Sequence, residues 1–312
     1  VIVAPKGVYR DWARQEIHAH MPDRIKYDLV VWSPSPTKAN KKRLLDLLEP
    51  SETLRIFIMN VEALSTSKGK RFLTMFLNHS ESLLAVDEST AIKSPKARRT
   101  KTIISVAPLA KYRRILTGFP VTQSPMDLWA QCRFLDKELL EDCGDNFFQF
   151  QYRYAIMTKR SVGSHSFNQI VGYRNLERLS ALLKNFSSRI MKEECLDLPD
   201  KIYTRRDVAL TPEQLRIYTE LKDFALAQID DHEFMTTPNV MTQLLRMQQV
   251  LSGHTKTDSG EFVEINDNRL TELMACLEES EGKVIIWSRF RYDVKRIADA
   301  LTKEHGPRST VT

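Results

Sequence analysis

The sequence predicts an α/β protein: a parallel-sheet lobe, helical insertions after it, and the start of a second α/β lobe. Three observations carry this reading. Continuous apolar runs such as Ile56-Phe-Ile-Met59, bounded by polar segments, mark strands buried on both faces of a mostly parallel sheet. Helix starts become legible only after Gly118, and a strand-like run, Lys283-Val-Ile-Ile-Trp-Ser288, returns near the end. The expected boundaries are 1–135 for the first lobe, 136–265 for the insertions and inter-lobe linker, and 266–312 for the second lobe.

Five strands are expected in the first lobe: Val1 to Ala4, Asp28 to Trp32, Arg55 to Asn60, Leu83 to Asp87 and Arg114 to Thr117. The middle of the chain reads as mainly helical. Ser124-Pro-Met-Asp127 supplies a capping Ser, Pro at the first helical position and an early Asp, and Thr211-Pro-Glu-Gln214 repeats the logic with Gln in the capping-box position. Thr237-Pro238 opens a further helix. Lys283 to Ser288 reads as a buried strand, followed by the helical spacing of Val294, Ile297, Ala298 and Leu301. Residue 1 is Val inside an apolar run, and Ser309-Thr-Val-Thr312 reads as a strand just beginning, so both ends are expected to be cut within folded elements.

Composition narrows the class. Of 312 residues 42% are hydrophobic, enough for more than one core. No apolar run reaches the roughly 18 residues of a membrane span, and no signal-peptide pattern opens the chain. The expected compartment is cytoplasmic or nuclear, not secreted. Cys132, Cys143, Cys195 and Cys276 form no C-x-x-C pair, so reduced, ordinary thiols are expected rather than a zinc site or disulfide framework. Lys and Arg outnumber Asp and Glu by 46 to 40, and the excess is concentrated. From Lys93 to Arg114 the cations are Lys93, Lys96, Arg98, Arg99, Lys101, Lys111, Arg113 and Arg114, with no acidic residue among them. A polyphosphate backbone is the partner such a run would attract.

The run follows Leu84-Ala-Val-Asp-Glu-Ser-Thr90, an apolar strand that stops at two adjacent carboxylates. A strand ending this way presents Asp87 and Glu88 at the carboxyl edge of the sheet, where α/β proteins bind ligands. A magnesium nucleotide suits that pair. Two other readings stay open: a non-catalytic nucleic-acid-binding protein, and a metal-dependent nuclease using Asp87 and Glu88. Against the nuclease, the Lys expected two residues after the second carboxylate is Thr90, and Lys93 is too far along.

Several motifs in register resemble one family. Ile2 to Pro5 with Trp12 and Glu16, Val86-Asp-Glu-Ser-Thr90 with Ile92-Lys93, and Leu116-Thr-Gly-Phe-Pro120 with Leu128-Trp129 look like motifs Ia, II and III of Snf-type superfamily-two helicase-like ATPases. Ile190-Met-Lys-Glu-Glu194 with Leu198-Pro-Asp-Lys201, then Leu210-Thr-Pro-Glu-Gln214 with Tyr218, resembles the passage between that family's lobes. Leu244 to His254 is similar to the helix that follows, and Lys283 to Phe290 to motif IV. Compact insertions resemble viral or bacterial members more than large chromatin remodellers.

The resemblance implies RecA-like lobes of the P-loop NTPase type and ATP hydrolysis with Mg²⁺, driving translocation along duplex DNA rather than strand separation. It makes Asp87 the Mg²⁺ residue, through water, and Glu88 the residue that positions and activates the attacking water. It places Thr117 and Gly118 beside the nucleotide. Pro5, Lys6, Lys93, Lys96, Arg98, Arg99, Lys101 and Arg289 are implied nucleic-acid contacts, while His254 and Trp12 read as packing or polar-network residues. Ser89 and Thr90 replace the common Ala-His, which bears on coupling between hydrolysis and movement. No Gly-x-x-x-x-Gly-Lys-Ser/Thr loop occurs in the chain. The resemblance places that loop upstream of Val1 and an arginine motif beyond Thr312, so turnover is expected of a longer parent protein.

Overall fold

A computed structural model describes residues 1–162, 165–230, 237–256 and 260–306. They form two compact units, Val1–Leu196 and Asp197–Thr312. Unit one is built on five parallel strands: β1 (Ile2–Ala4), β2 (Tyr27–Val31), β3 (Leu54–Asn60), β4 (Leu83–Asp87) and β5 (Tyr112–Leu116). Their spatial order is β2-β3-β1-β4-β5. Parallel neighbours need a crossover to return the chain to the same edge. Helical residues 9–20 and the helices Lys38–Asp46, Ser67–His79 and Arg98–Val106 supply the four crossovers. All five strands therefore end at one edge, where Pro5, Glu88 and Thr117 follow β1, β4 and β5.

The period of two along each strand divides the packing between two faces. Val3, Phe57, Met59, Leu84 and Val86 meet Leu73, Phe76, Leu77, Ile103 and Val106 on one side. Ala4, Ile56 and Ile58 meet Tyr9 and Ile17 on the other. Phe57 anchors the larger core, its ring centroid 5.0 Å from that of Phe72 and 5.6 Å from that of Phe76. β5 departs from the expectation of strands buried on both faces. It closes the sheet order as an edge strand, with Tyr112, Arg114 and Leu116 exposed and Ile115 packed against the core.

Beyond Gly118 the capping signals act as expected. Ser124 Oγ accepts from the Met126 N–H at 3.3 Å and Pro125 takes the first helical position, ahead of the helix Leu128–Leu135. A second core joins Trp129, Cys132, Leu140, Phe150, Tyr154 and Leu179. Burial there pushes the Cys132 thiol up to about 12, so it is an inert packing residue. Within unit one the helical expectation fails at one place: β6 (Ala155–Val162) and β7 (His165–Tyr173) form an antiparallel ribbon. Beyond the buried Ala155 and the half-buried Ile170, its described side chains are mostly exposed on both faces, so no alternation of apolar and polar residues announces it.

In unit two, Thr211 and Gln214 realise the capping box reciprocally: Gln214 N–H donates to Thr211 Oγ1 at 3.2 Å, and Thr211 N–H to Gln214 Oε1 at 3.1 Å. The helix Pro212–Asp230 follows, then the helix Thr237–Leu251, β8 (His254–Lys256), β9 (Phe262–Glu264) and the helices Arg269–Glu278 and Arg291–His305. His254 is fully buried, 3.0 Å from Asp293. Burial lowers its pKa against the upward pull of that carboxylate, which keeps it neutral near pH 7. The expected strand at Lys283 to Ser288 is not formed. Ile285 is 78% and Trp287 90% exposed, and the segment pairs with no strand among the described residues. An apolar run favours an extended chain, but only a ladder partner makes it a strand. The strand expected at Ser309 to Thr312 lies outside the described residues. No helix among the described residues is long and apolar enough to cross a membrane.

Candidate functional site

The site is assembled where β1, β4 and β5 end. In β4 the buried Leu84 and Val86 face the helices, so the alternation turns Asp87 to the opposite face. There the helical segment after β1 brings Trp12, whose Nε1–H donates to Asp87 Oδ2 at 2.8 Å. The second oxygen, Oδ1, accepts the Glu88 N–H at 2.9 Å. Each Asp87 oxygen therefore has one fixed donor and keeps a free lone pair. Glu88 stands differently. It is exposed, and its carboxylate makes no hydrogen bond or ion pair among the described residues.

The backbone at Glu88 is left-handed, with φ 45° and ψ 59°, which a residue bearing a Cβ adopts at a cost. Contacts after it hold the turn. Ala91 N–H donates to Glu88 O at 2.9 Å, and the fully buried Ser89 donates from Oγ to Gln131 Oε1 at 2.6 Å. Gln131 Nε2 donates in turn to Pro120 O and Asp127 O, both at 2.8 Å. A chain of hydrogen bonds thus runs from the residue after the carboxylate pair to the loop that follows Thr117 and Gly118. No hydrogen bond of the Thr90 side chain takes part in it.

The β4–β5 register sets Asp87 opposite Leu116, so Thr117 and Gly118 lie just past the carboxylates on the neighbouring strand. Thr117 Oγ1 accepts from the Phe119 N–H at 3.3 Å. At Gly118 φ is not positive, and a Cβ built there would meet nothing within 4 Å. The glycine is not forced by a close approach to the carboxylates. Pro5 and Lys6 follow β1 at the same edge, with Pro5 O accepting from the N–H groups of Val8 and Tyr9, and Lys6 exposed.

The basic run separates into two kinds of cation. Lys93 is committed within the chain, bonded to Thr122 and 3.3 Å from Asp127 Oδ2. Burial alone would raise the pKa of Asp127, but donors from Gln123, Thr122 and Lys93 outweigh it and hold the carboxyl below its ordinary range. Arg99 is also engaged, donating from Nε to Ala91 O at 2.5 Å and propping the turn after Glu88. Both are implied nucleic-acid contacts, and each has at least one donor engaged within the chain. Lys96, Arg98 and Lys101 are exposed, with no ion pair among the described residues. Arg98 lines a cavity of about 380 Å³ with Lys70, Arg71, Ser67, Thr74 and Thr102, and no carboxylate lines it. Lys70 and Arg71 lie on another helix, outside the acid-free run, so nothing in the local sequence connects them to it. Arg289, in unit two, is exposed, with its guanidinium 5.9 Å from the Phe290 ring centre.

Among the described residues no group of three or more His, Cys, Asp or Glu could hold a metal unaided. A magnesium ion fits this site only as a shared one. It keeps most of its waters and is bound through one or two carboxylates together with substrate phosphates, and the free lone pairs of Asp87 suit a water in such a shell.

Comparison with known proteins places the chain. Residues 1–256 match the model of the SNF2-related domain. The human TATA-binding protein-associated factor 172 is 28% identical over 185 residues, 58% of this chain and 10% of that protein. The chromatin-remodeling ATPase INO80 of Arabidopsis thaliana is 25% identical over 264 residues, 79% of this chain and 16% of the relative. The chain thus spans roughly a tenth to a sixth of the length of these relatives. Among solved structures, the Sulfolobus solfataricus SWI2/SNF2 ATPase core in complex with dsDNA matches at 22% identity and a TM-score of 0.44, over 97% of this chain and 58% of that one.

Proposed function

The chain belongs to the SNF2-related domain family, with a RecA-like parallel sheet, and from that premise we propose that it is part of an ATP-driven motor that moves along duplex DNA. In this reading residues 1–135 form the first lobe, 136–265 the insertions and linker, and 266–312 the beginning of the second lobe. The parent protein works in the nucleus or cytoplasm. The observation that carries the proposal is the unequal treatment of two adjacent carboxylates at the carboxyl edge of the sheet. Asp87 is clamped by Trp12 and the Glu88 amide, whereas the Glu88 side chain is left without a partner.

Magnesium ATP, when bound, supplies the phosphoryl group and the cation that neutralises developing charge. The chain's own residues do the rest. Asp87 would hold the hydrated cation on the lone pairs that Trp12 and the Glu88 amide leave free. Glu88 accepts a hydrogen bond from the attacking water, orients it and draws off its proton. Thr117 and Gly118 report the nucleotide's state through the loop reaching Pro120, which the Ser89–Gln131 bond ties back to the carboxylate turn. Ser89 thereby takes over the coupling expected of the usual Ala-His pair. Pro5, Lys6, Lys96, Arg98, Lys101 and Arg289 contact the DNA backbone, with Lys70 and Arg71 joining Arg98 at the cavity. Lys93 and Arg99 support that surface from beneath.

The test is duplex-stimulated phosphate release by the parent protein. Glu88→Gln is expected to reduce turnover by about 10²-fold or more while nucleotide and DNA binding persist. DNA cleavage without ATP would instead favour the nuclease reading. Duplex binding without any turnover in the unaltered protein would leave a non-catalytic binder.

A further inference from the structure

Residues 155–175 contain Lys159, Arg160, His165 and Arg174 and no Asp or Glu. Most of this stretch is the β6–β7 ribbon, and only its root is anchored. Ala155 is buried, and Ile170 packs partly against the second core of unit one. Phe167, farther out, is 49% exposed, and Val171, beside Ile170, is 50% exposed. A two-stranded ribbon without a covering layer is marginal in water, and exposed apolar groups on it are burial not yet used.

The register fixes what the ribbon presents. Thr158 pairs with Gln169 and Arg160 with Phe167, two residues further along, so a hydroxyl, an amide, a guanidinium and an aromatic ring share one face. Lys159 pairs with Asn168 on the other face. Neither the Lys159 nor the Arg160 side chain has an ion pair or hydrogen bond among the described residues. At the root the helix Phe147–Tyr154 adds exposed Phe148 and Tyr152, with the Arg174 guanidinium 5.2 Å from the Tyr152 ring centre.

We propose that the β6–β7 ribbon is a nucleic-acid-binding arm, with Lys159 and Arg160 on phosphodiester oxygens and Phe167 against sugars or bases. The proposal rests on the reading of the chain as a DNA motor. An acid-free arm complements a polyanion along its whole length, and the major groove of duplex DNA admits a two-stranded ribbon. Aromatic rings interleaved with cations are the combination that grips bases as well as phosphates. An acidic peptide would answer the charge but not the amide, hydroxyl and ring set on one face.

The experiment is a salt titration of duplex binding by the full chain, read by fluorescence anisotropy. Lys159→Ala with Arg160→Ala is expected to lower the slope of log K against log salt by about 1.8, at about 0.9 per lost phosphate contact. Phe167→Ala is expected to weaken binding about 5-fold or more without changing the slope. Melting temperatures of the variants should match the parent chain, because the altered side chains are exposed. An unchanged slope in the double variant, with the unaltered chain binding DNA, overturns the ribbon proposal alone. No duplex binding by the unaltered chain overturns the motor reading with it. Self-association or acidic-peptide binding that the same variants abolish while DNA binding persists reassigns the ribbon to a protein partner and also overturns the proposal.

Discussion

Glu88 carries both the chemistry and a conformational cost. A left-handed backbone costs a residue with a Cβ roughly 1–2 kcal/mol, and here the buried Ser89–Gln131 bond and the Ala91–Glu88 bond enforce it. Glycine would remove that cost, but it gains freedom in the unfolded chain worth roughly 0.4–1 kcal/mol in the opposite direction. The difference decides the sign. Glu88→Gly is expected to raise stability by about 0.5–1 kcal/mol, whereas Glu88→Gln keeps the Cβ and leaves it unchanged. Urea denaturation of both variants checks this, and coincident midpoints would show that the turn stores no strain. A stabilising change at a residue whose loss stops turnover would be the mark of strain kept for function.

At the scale of elements, the helix Ser67–His79 shows how a local rule loses to packing. Gly69 lies inside that helix, where Ala would be favoured by about 1 kcal/mol on propensity. A Cβ there would stand 2.2 Å from Ala63 O and 2.9 Å from Ala63 C, distances that backbone atoms cannot tolerate. The helix must shift off the preceding turn, so Gly69→Ala is expected to destabilise by about 2 kcal/mol or more, read as a lowered thermal midpoint. The same contrast explains what could be read without coordinates. β1 to β4 were legible because burial on two faces writes continuous apolar runs, and the helix starts because caps are local. The β6–β7 ribbon was not, since it buries neither face. Lys283 to Ser288 was over-read, because composition records a preference for extended chain and not the presence of a neighbour. In the site, Asp87 and Glu88 were legible as a strand end, whereas the Trp12–Asp87 and Ser89–Gln131 bonds join residues 75 and 42 positions apart, which no local pattern encodes.

Across the molecule, charge counted along the chain differs from charge available to a ligand. The run from Lys93 to Arg114 reads as one basic block, yet the fold engages five of its eight cations. Lys93 is held by Asp127, Arg99 and Arg114 each by a carbonyl, Lys111 by Glu81 at 2.6 Å, and Arg113 lies 3.8 Å from Asp136. Arg98 remains free and gains Lys70 and Arg71, cations that sequence distance hid. These three share one cavity without a carboxylate, and their mutual repulsion is relieved only by an anion or by salt. Replacing Arg98, Lys70 and Arg71 together by Ala is therefore expected to flatten the salt dependence of duplex binding, by up to about 2.7 in slope at about 0.9 per phosphate contact. Arg99→Ala is expected to do the reverse. It leaves the slope unchanged but destabilises the fold by about 1.5–3 kcal/mol, the scale of a lost hydrogen bond from a charged donor. Anisotropy titrations and thermal melts on the two variants separate these outcomes. If Arg99→Ala flattens the slope as much as the triple change does, DNA affinity follows the linear run of charge and not the cations that the fold leaves unpaired.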